Sequence, residues 1–324
     1  MGGLFSERRS LLIGIGATVA LVVFLIVVGE EKSLVIGLTQ GSAYGMVALG
    51  LALIYKSSGV FNFAQGEFGT VALYVLYLLD IKGNYWLAII GALAAAGLMG
   101  FATERLVVRP LFEAPRVILL VATAGVALLA IGVELWFADA QAKPVAKAFS
   151  RNDRITVFDV QITDQRLWLI VTLAALAVLL GLFFTRTNLG LAIIGASQEP
   201  TATELVGISV RRLSSFTWVL AAVLGGLAAV IAIPDLGSFG PGAMTSNYLI
   251  PAFTAAVLGG MTSLPGAFVG GVLIGIIQSV ATSAPLFQDG GELAIPGVPS
   301  TLIVFVVLLV VLVARPQGLL GKRA

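Results

Sequence analysis

Long apolar runs separated by short polar breaks dominate the chain, at residues 11–28, 34–55, 59–79, 85–108, 116–137, 167–184, 215–233, 248–260, 264–284 and 300–314. A helix needs roughly 20 apolar residues to cross a hydrocarbon core about 30 Å thick, and most of these runs approach that length. Several are short or interrupted by glycine. The pattern therefore predicts an all-α, polytopic transmembrane bundle of about eight to ten spans or broken segments, forming one domain over residues 1–324. Two stretches break the texture: a polar connection over about 185–213 and a longer loop over about 138–166. In the latter, Arg154-Ile-Thr-Val-Phe-Asp-Val-Gln-Ile alternates with period two and predicts a short hairpin or strand pair, either a cap that meets a soluble partner or a solvated connection.

Composition narrows the class further. With 58% hydrophobic and 11% charged residues and a mean hydropathy of +1.03, the chain lies outside the range of soluble domains. The net charge of +2 does not form the dense basic patch that nucleic acid requires, so no nucleic-acid partner is expected. The basic residues instead orient the spans. Arg8 and Arg9, then Arg105, Arg109 and Arg116, then Arg186, Arg211 and Arg212, and last Arg315, Lys322 and Arg323 recur in alternate connections, which places those faces and both termini in the cytoplasm. The loop 138–166 carries mixed charge and falls outside by parity. Arg8 and Arg9 ahead of residues 11–28 imitate a secretory signal, but the run is long and ends in Gly29-Glu-Glu-Lys without a small-x-small site, so a retained helix is expected. Cysteine and histidine are both absent. That removes thiol and imidazole chemistry and nearly every zinc or haem site, and argues against a membrane-embedded enzyme.

The polar connection reads as helix, turn, helix. Asn188 is suited to cap a short helix from Leu189, Pro200 fits the first turn of a second, and Gly207 fits the left-handed position beyond its end. Leu189, Ile193 and Ile194 are expected against bilayer or neighbouring spans, with Gln198, Glu199, Thr203 and Glu204 toward water or a partner. An amphipathic connector without a partner is the alternative.

Polar residues inside apolar runs mark candidate pathway positions. Asn62, Gln65 and Glu67 sit among Gly59, Gly66 and Gly69, a combination that predicts a broken or re-entrant element; the alternative is an interfacial Glu67 with Asn62 as a helix cap. Gln40 lies with Thr39, Ser42 and Tyr44 beside the stripe Gly37, Gly41, Gly45, whose four-residue spacing predicts close helix packing. Glu134, near Trp136, and Asp235 read as interfacial. The interrupted segments 59–79 and 248–284 occupy opposite halves and hint at an inverted repeat.

Four ordered blocks now resemble one family. They are Gly37-Leu-Thr-Gln-Gly-Ser-Ala-Tyr-Gly-Met, Gly59-Val-Phe-Asn-Phe-Ala-Gln-Gly-Glu-Phe, the connection bearing Gly190, Ala192, Ala196, Gln198, Glu199, Pro200, Ala202, Leu205, Gly207 and Ile208, and Ala256 to Gly271 with the closing Arg315-Pro-Gln-Gly-Leu-Leu-Gly. Together they resemble LivH-like permease subunits of ABC importers for branched-chain amino acids. The resemblance implies an ATPase-coupling role for Asn188, Gly190, Gln198, Glu199, Pro200, Glu204 and Gly207. It also implies a bacterial cytoplasmic (inner) membrane location, a second LivM-like permease subunit, two cytoplasmic ATPase subunits that bind the ATP, and a periplasmic or lipid-anchored solute-binding protein. The chain itself offers no cofactor site: it has no Gly-x-x-x-x-Gly-Lys-[Ser/Thr] loop. Two departures stand out. Gln65 occupies a position where the family usually has histidine, and Leu191 and Ile194 lie where basic residues are frequent, implying a contact resting on shape and apolar packing. Branched-chain amino acids, urea or short amides, and aromatic or other organic acids all fall within the resemblance. A stand-alone secondary transporter or solute channel is the alternative.

Overall fold

The computed structural model describes residues 31–80, 84–145, 154–157, 160–283, 300–314 and 318–319. The run at 11–28 and both termini lie outside the described residues. Eleven α-helices are described: α1 (Glu31–Ser58), α2 (Gln65–Asp80), α3 (Tyr85–Thr103), α4 (Arg116–Ala138), α5 (Asp164–Arg186), α6 (Asn188–Gln198), α7 (Pro200–Leu205), α8 (Val210–Ala232), α9 (Ile250–Gly259), α10 (Leu264–Ser283) and α11 (Ser300–Ala314). The helical bundle read from the pattern is what forms. Among the described residues, six helical stretches are long and apolar enough to cross a membrane: Lys32–Ser58, Tyr85–Leu111, Arg116–Ala138, Asp164–Arg186, Val210–Asp235 and Leu264–Thr282. The expected number of spans is larger because the runs at 59–79, 248–260 and 300–314 contain helices of only 16, 10 and 15 residues and the run at 11–28 lies outside the described residues.

Each of these shorter helices follows a break. Residues 59–64 are non-helical before α2, and the chain from Gly237 to Met244 leads through a π-turn (Thr245–Leu249) into α9. The two breaks meet: a Cβ on Gly66 would strike Thr245, and the Met244 N–H donates to Thr70 Oγ1 at 3.2 Å. A tight turn at Gly260, in left-handed conformation with φ of 98°, links α9 to α10. Leu319 N–H closes this corner by donating to Leu258 O at 2.7 Å, with Gly318 packed against Gly260.

Strands β1 (Lys143–Pro144) and β4 (Ser238–Phe239) pair antiparallel, as do β2 (Arg154–Val157) and β3 (Val160–Thr163), with Arg154 opposite Thr163. The second pair is the hairpin that the alternation predicts. Arg166 Nε bonds Asp235 Oδ2 at 2.9 Å, and Gln165 Nε2 reaches Ile231 O at 2.6 Å, so the start of α5 is tied to the end of α8. Asp235 is thus one half of an ion pair.

Close helix packing explains the glycine stripes. A Cβ on Gly41 would come within 2.7 Å of Gly271 O and 2.8 Å of Val272 Cα, and one on Gly37 would approach Ile276 Cα at 2.5 Å. These contacts run in opposite sequence directions, so α1 and α10 are antiparallel and nearly backbone to backbone. In a bilayer, where lipid competes equally for apolar side chains, such approach maximises dispersion between helices. By contrast, Val121, Leu128, Leu129, Val178 and Leu179 on α4 and α5 are exposed, as expected of a lipid- or subunit-facing belt. Gly125 and Gly132, also on α4, have nothing within 4 Å of an added Cβ.

Gly41→Val should therefore lower the thermal stability of the detergent-purified chain by an amount at or beyond the overpacking range of about 1–3 kcal/mol, whereas Gly125→Ala should be neutral or stabilising by up to about 1 kcal/mol. Thermal unfolding followed by fluorescence distinguishes the two; equal loss in both variants would contradict the packing described.

Candidate functional site

The break before α2 places six residues of non-helical backbone against the bundle, and polar side chains from α4 and from the segment itself bond it. Thr123 on α4 donates to Phe61 O at 3.1 Å and accepts from Phe63 N–H at 3.2 Å, standing in for a helical or strand partner. Asn62 Oδ1 accepts from Ala64 N–H at 3.0 Å, and its amide donates to Gln65 Oε1 at 3.3 Å. Gln65 Nε2 then donates to Ala221 O on α8 at 2.9 Å. Its amide fits a notch between Gly50 of α1 and Gly225 of α8, where a side chain on either glycine would collide with it. Asn62 and Gln65 are almost fully buried. They secure the break.

Glu67 is wholly enclosed and lies against the Thr70 and Thr245 hydroxyls and the Glu134 carboxyl. The interfacial reading of Glu134 needs correcting: while Trp136 is 79% exposed, Glu134 turns inward and its Oε2 accepts from Gly242 N–H at 2.9 Å. The two acids join α2, α4 and the break before α9. An acid two residues before a tryptophan gives no sign of this inward orientation.

Gln40 stands apart from that group. It is exposed and lines a cavity of about 310 Å³ with Thr39, Tyr44, Asp235, Ser246, Asn247 and Gln278 among others; Asn62, Gln65 and Glu67 do not line it. Thr39 and Tyr44, read chiefly as packing residues, therefore face space as well. Tyr44 Oη also donates to Gln278 Oε1 at 2.8 Å across to α10.

At the opposite end of α5 and α8, residues 187–208 form the helical hairpin that the sequence predicts. The cap is one residue earlier than expected: Thr187 Oγ1, not Asn188, accepts from Gly190 N–H at 3.0 Å, while donating to Phe183 O at 2.7 Å. Asn188 becomes the first helical residue. Gly190 lies directly on Phe183 and Phe184 backbone, leaving no room for a side chain, so α6 leaves α5 in a sharp bend. Pro200 opens α7, and left-handed Gly207, with φ of 85°, lets Ile208 N–H return to Thr203 O at 3.2 Å. Ile193 is buried against the bundle, Ile194 is half-buried, and Leu189 is exposed at 39%. Gln198, Glu199 and Glu204 are exposed, as expected; Thr203 is buried because its hydroxyl folds back onto Glu199 O at 3.0 Å. Leu205 and Val206 project from the tip, 83% and 74% exposed.

Beside the hairpin is a cluster that the sequence reading missed. Glu104, 2% exposed, sits in a π-turn (Glu104–Val108) that continues α3. It accepts from Arg109 Nη2 at 3.0 Å and from Ser215 Oγ at 2.8 Å, and Arg109 also bonds Arg211 O at 3.2 Å. Arg109, read only as a topology signal, thus clamps the end of α3 to the helix that leaves the hairpin. The available signal was Glu104 inside an apolar run, with an arginine five residues on.

Long apolar helices, broken elements sealed inside the bundle and an exposed hairpin at one end define a multi-pass membrane transport component. The sequence profile of a family described as "Branched-chain amino acid transport system / permease component" matches residues 33–314, and the chain belongs to that family. It is 31% identical over 306 residues to the high-affinity branched-chain amino acid transport system permease protein BraD of Pseudomonas aeruginosa, covering 90% of this chain and 95% of that one. It is 30% identical to LivH of Escherichia coli K12, covering 88% and 94%, and 29% identical over 255 residues to the ribose import permease protein RbsC of the same organism, covering 75% of each. No solved structure matches.

Gln65→His should retain near-wild-type stability and transport, because an imidazole N–H can also donate toward Ala221 O. Gln65→Leu, which removes the donor from a buried site, should cost about 1–3 kcal/mol. Denaturation midpoints of the two variants check this; a leucine variant as stable as wild type would refute the bridging role.

Proposed function

We propose that the chain is the translocation subunit of an ATP-driven ABC importer for branched-chain amino acids or a related small polar or organic solute. The observation that carries this reading is the exposed hairpin, an ordered α6–α7 pair that a mere span connection does not need. Its waist is held by Ile193 and Ala196 in the core, and its tip offers Leu205 and Val206 beside Gln198, Glu199 and Glu204. An apolar tip with a polar rim has the composition of a docking knob. Gly190, Pro200 and Gly207 set its shape, and Asn188 starts its first helix. Leu191, 52% exposed where relatives of this kind often carry a basic residue, fits a contact made by packing.

In this proposal the two cytoplasmic ATPase subunits bind the ATP and receive the hairpin. A second LivM-like permease subunit completes the pathway, and a periplasmic or lipid-anchored binding protein delivers the solute. The location is the bacterial cytoplasmic (inner) membrane, with both termini inside. Counting the six long helices, each break with its helix, α11 and residues 11–28 gives about ten spans, within the range that the apolar runs suggest. The breaks at 59–64 and 237–244 enter from opposite ends and touch at Gly66 and Thr245, which favours the inverted-repeat arrangement. Glu104, Arg109 and Ser215 then join the hairpin's exit helix to α3, so movement at the hairpin is passed into the bundle. Gln40, in the cavity, is proposed to face solute; Asn62, Gln65 and Glu67 are proposed to shape the pathway wall from behind.

Glu204→Lys reverses a charge on the docking rim, and Gly207→Val forces a β-branched residue into left-handed backbone. Both should insert normally yet lower solute-stimulated ATP hydrolysis by the reconstituted importer about tenfold, equivalent to about 1.4 kcal/mol of coupling. Unchanged stimulated turnover in both variants would defeat the assignment.

A further inference from the structure

Beyond its first turn, α8 is open along a single stripe. Arg212, Phe216, Val219, Val223 and Leu227 recur every three or four residues and are exposed or half-buried, while Leu213, Trp218, Ala222, Leu224 and Gly226 between them are buried. Helices α3 and α5 flank the stripe. A Cβ on Gly97 of α3 would meet Val223 Cγ2 at 3.3 Å and Val219 Cγ1 at 3.4 Å, and Phe183 of α5 stacks on Phe216 with ring centroids 6.1 Å apart. On the rims, Phe101 of α3 and Leu179 of α5 are 44% and 61% exposed. The result is a groove on the outside of the bundle with α8 as its floor, apolar from Phe216 onward. From Arg212 to Val223 it is about 17 Å long at roughly 1.5 Å per residue, close to one leaflet of a hydrocarbon core about 30 Å thick.

The end of the groove near the hairpin carries arginines from three helices. Arg105 lies one turn beyond Phe101, Arg186 lies three residues beyond Phe183, and Arg212 lies one turn before Phe216. The bond from Arg109 to Arg211 O, at 3.2 Å, holds the end of α3 level with the first turn of α8. Arg105, Arg186 and Arg212 are exposed, and among the described residues none of the three is in an ion pair. Glu104, in the adjoining turn, is already committed to Arg109 and Ser215. Three unpaired guanidiniums beside an apolar groove match an occupant with an anionic head and an aliphatic body. The chain's own apolar run at 11–28 is a poor match. Since α1 runs from the cavity end to Lys56, which lies over Phe184 at the hairpin end, a span at 11–28 starts at the hairpin end. It would bring Arg8 and Arg9 there, adding like charge.

We propose that the groove between α3, α8 and α5 is a binding site for an anionic phospholipid of the leaflet at the hairpin end, with Arg105, Arg186 and Arg212 receiving the headgroup phosphate and the stripe from Phe216 to Val223 holding an acyl chain. A guanidinium presents a planar fork of donors that matches phosphate oxygens. A zwitterionic lipid also brings an ammonium that the same arginines repel, so net headgroup charge sets the preference. Arg186 and Arg212 stand at the two roots of the hairpin, so the bound lipid joins both roots to α3. The inference rests on the chain spanning a membrane, not on what it transports or what drives it.

The full-length chain in detergent is titrated with dioctanoyl phosphatidylglycerol or dioctanoyl phosphatidylcholine while thermal unfolding is followed. Phosphatidylglycerol should half-saturate its stabilising effect at a concentration about tenfold lower than phosphatidylcholine does, and Arg105→Gln, Arg186→Gln and Arg212→Gln should each raise that concentration about fivefold. Lys143→Gln, on a strand at the opposite end of the bundle, should leave it unchanged, and sn-glycerol 3-phosphate at the same concentrations should give no shift. With p-benzoylphenylalanine in place of Phe216, irradiation in native membranes should yield an adduct of phospholipid mass. Equal half-saturation by the two lipids, a preference that survives all three arginine substitutions, an equal shift from glycerol phosphate, or cross-linking from position 216 to residues 11–28 or to another polypeptide would overturn the proposal. Failure of the importer reading would appear instead in stimulated ATP hydrolysis and would leave the lipid titration unchanged.

Discussion

Backbone that leaves a helix inside a membrane protein must find other hydrogen-bond partners, because lipid supplies none. The segment 59–64 meets that demand with two side chains. Thr123 serves Phe61 and Phe63 and Asn62 serves Ala64, while Gln65, bonded to the Asn62 amide, ties the segment to Ala221 O on α8. Those bonds fix where α2 begins, and the start of α2 fixes where Gly66 touches Thr245 and hence how the second break is seated. Glycine at positions 50, 66 and 225 makes room for this arrangement. A cluster of amides and small residues that looks like a pathway lining is, in the first place, the joinery of an irregular backbone.

Much of the fold was legible in the chain because apolar runs and bundle helices obey the same length requirement. The hairpin was legible too, since Pro200 and Gly207 are each suited to a single backbone role. The cap falls one residue earlier than expected because Thr187 and Asn188 are both favoured cap residues, and Thr187 also bonds back to Phe183 O. The orientation of Glu134 was not legible. Its partners, Glu67 and Gly242, are remote in sequence, and no local period encodes a contact between helices. The Glu104 clamp escaped for a related reason: an arginine near the end of an apolar run has an adequate explanation in membrane topology, so its contact with a buried acid adds no visible anomaly.

Polar residues are thus sorted by location. Asn62, Gln65 and Glu134 bond elements of the interior to one another, Glu67 is enclosed beside them, Glu104 and Arg109 brace the end near the hairpin, and Arg166 with Asp235 fastens the other end. The group around Gln40 surrounds open space. Between the two braced ends, α1 and α10 lie nearly backbone to backbone, with no room for side chains at Gly37, Gly41, Gly271 and Gly275.

The corner between α9 and α10 has a consequence for biogenesis. Its final hydrogen bond comes from Leu319, beyond the last described helix. Synthesis proceeds from the N-terminus, so this corner leaves the ribosome before the residue that latches it. Gly318 permits the latch to lie flat. Closure of the corner between α9 and α10 therefore awaits arrival of Leu319, and a nascent chain halted ahead of Gly318 would lack that latch.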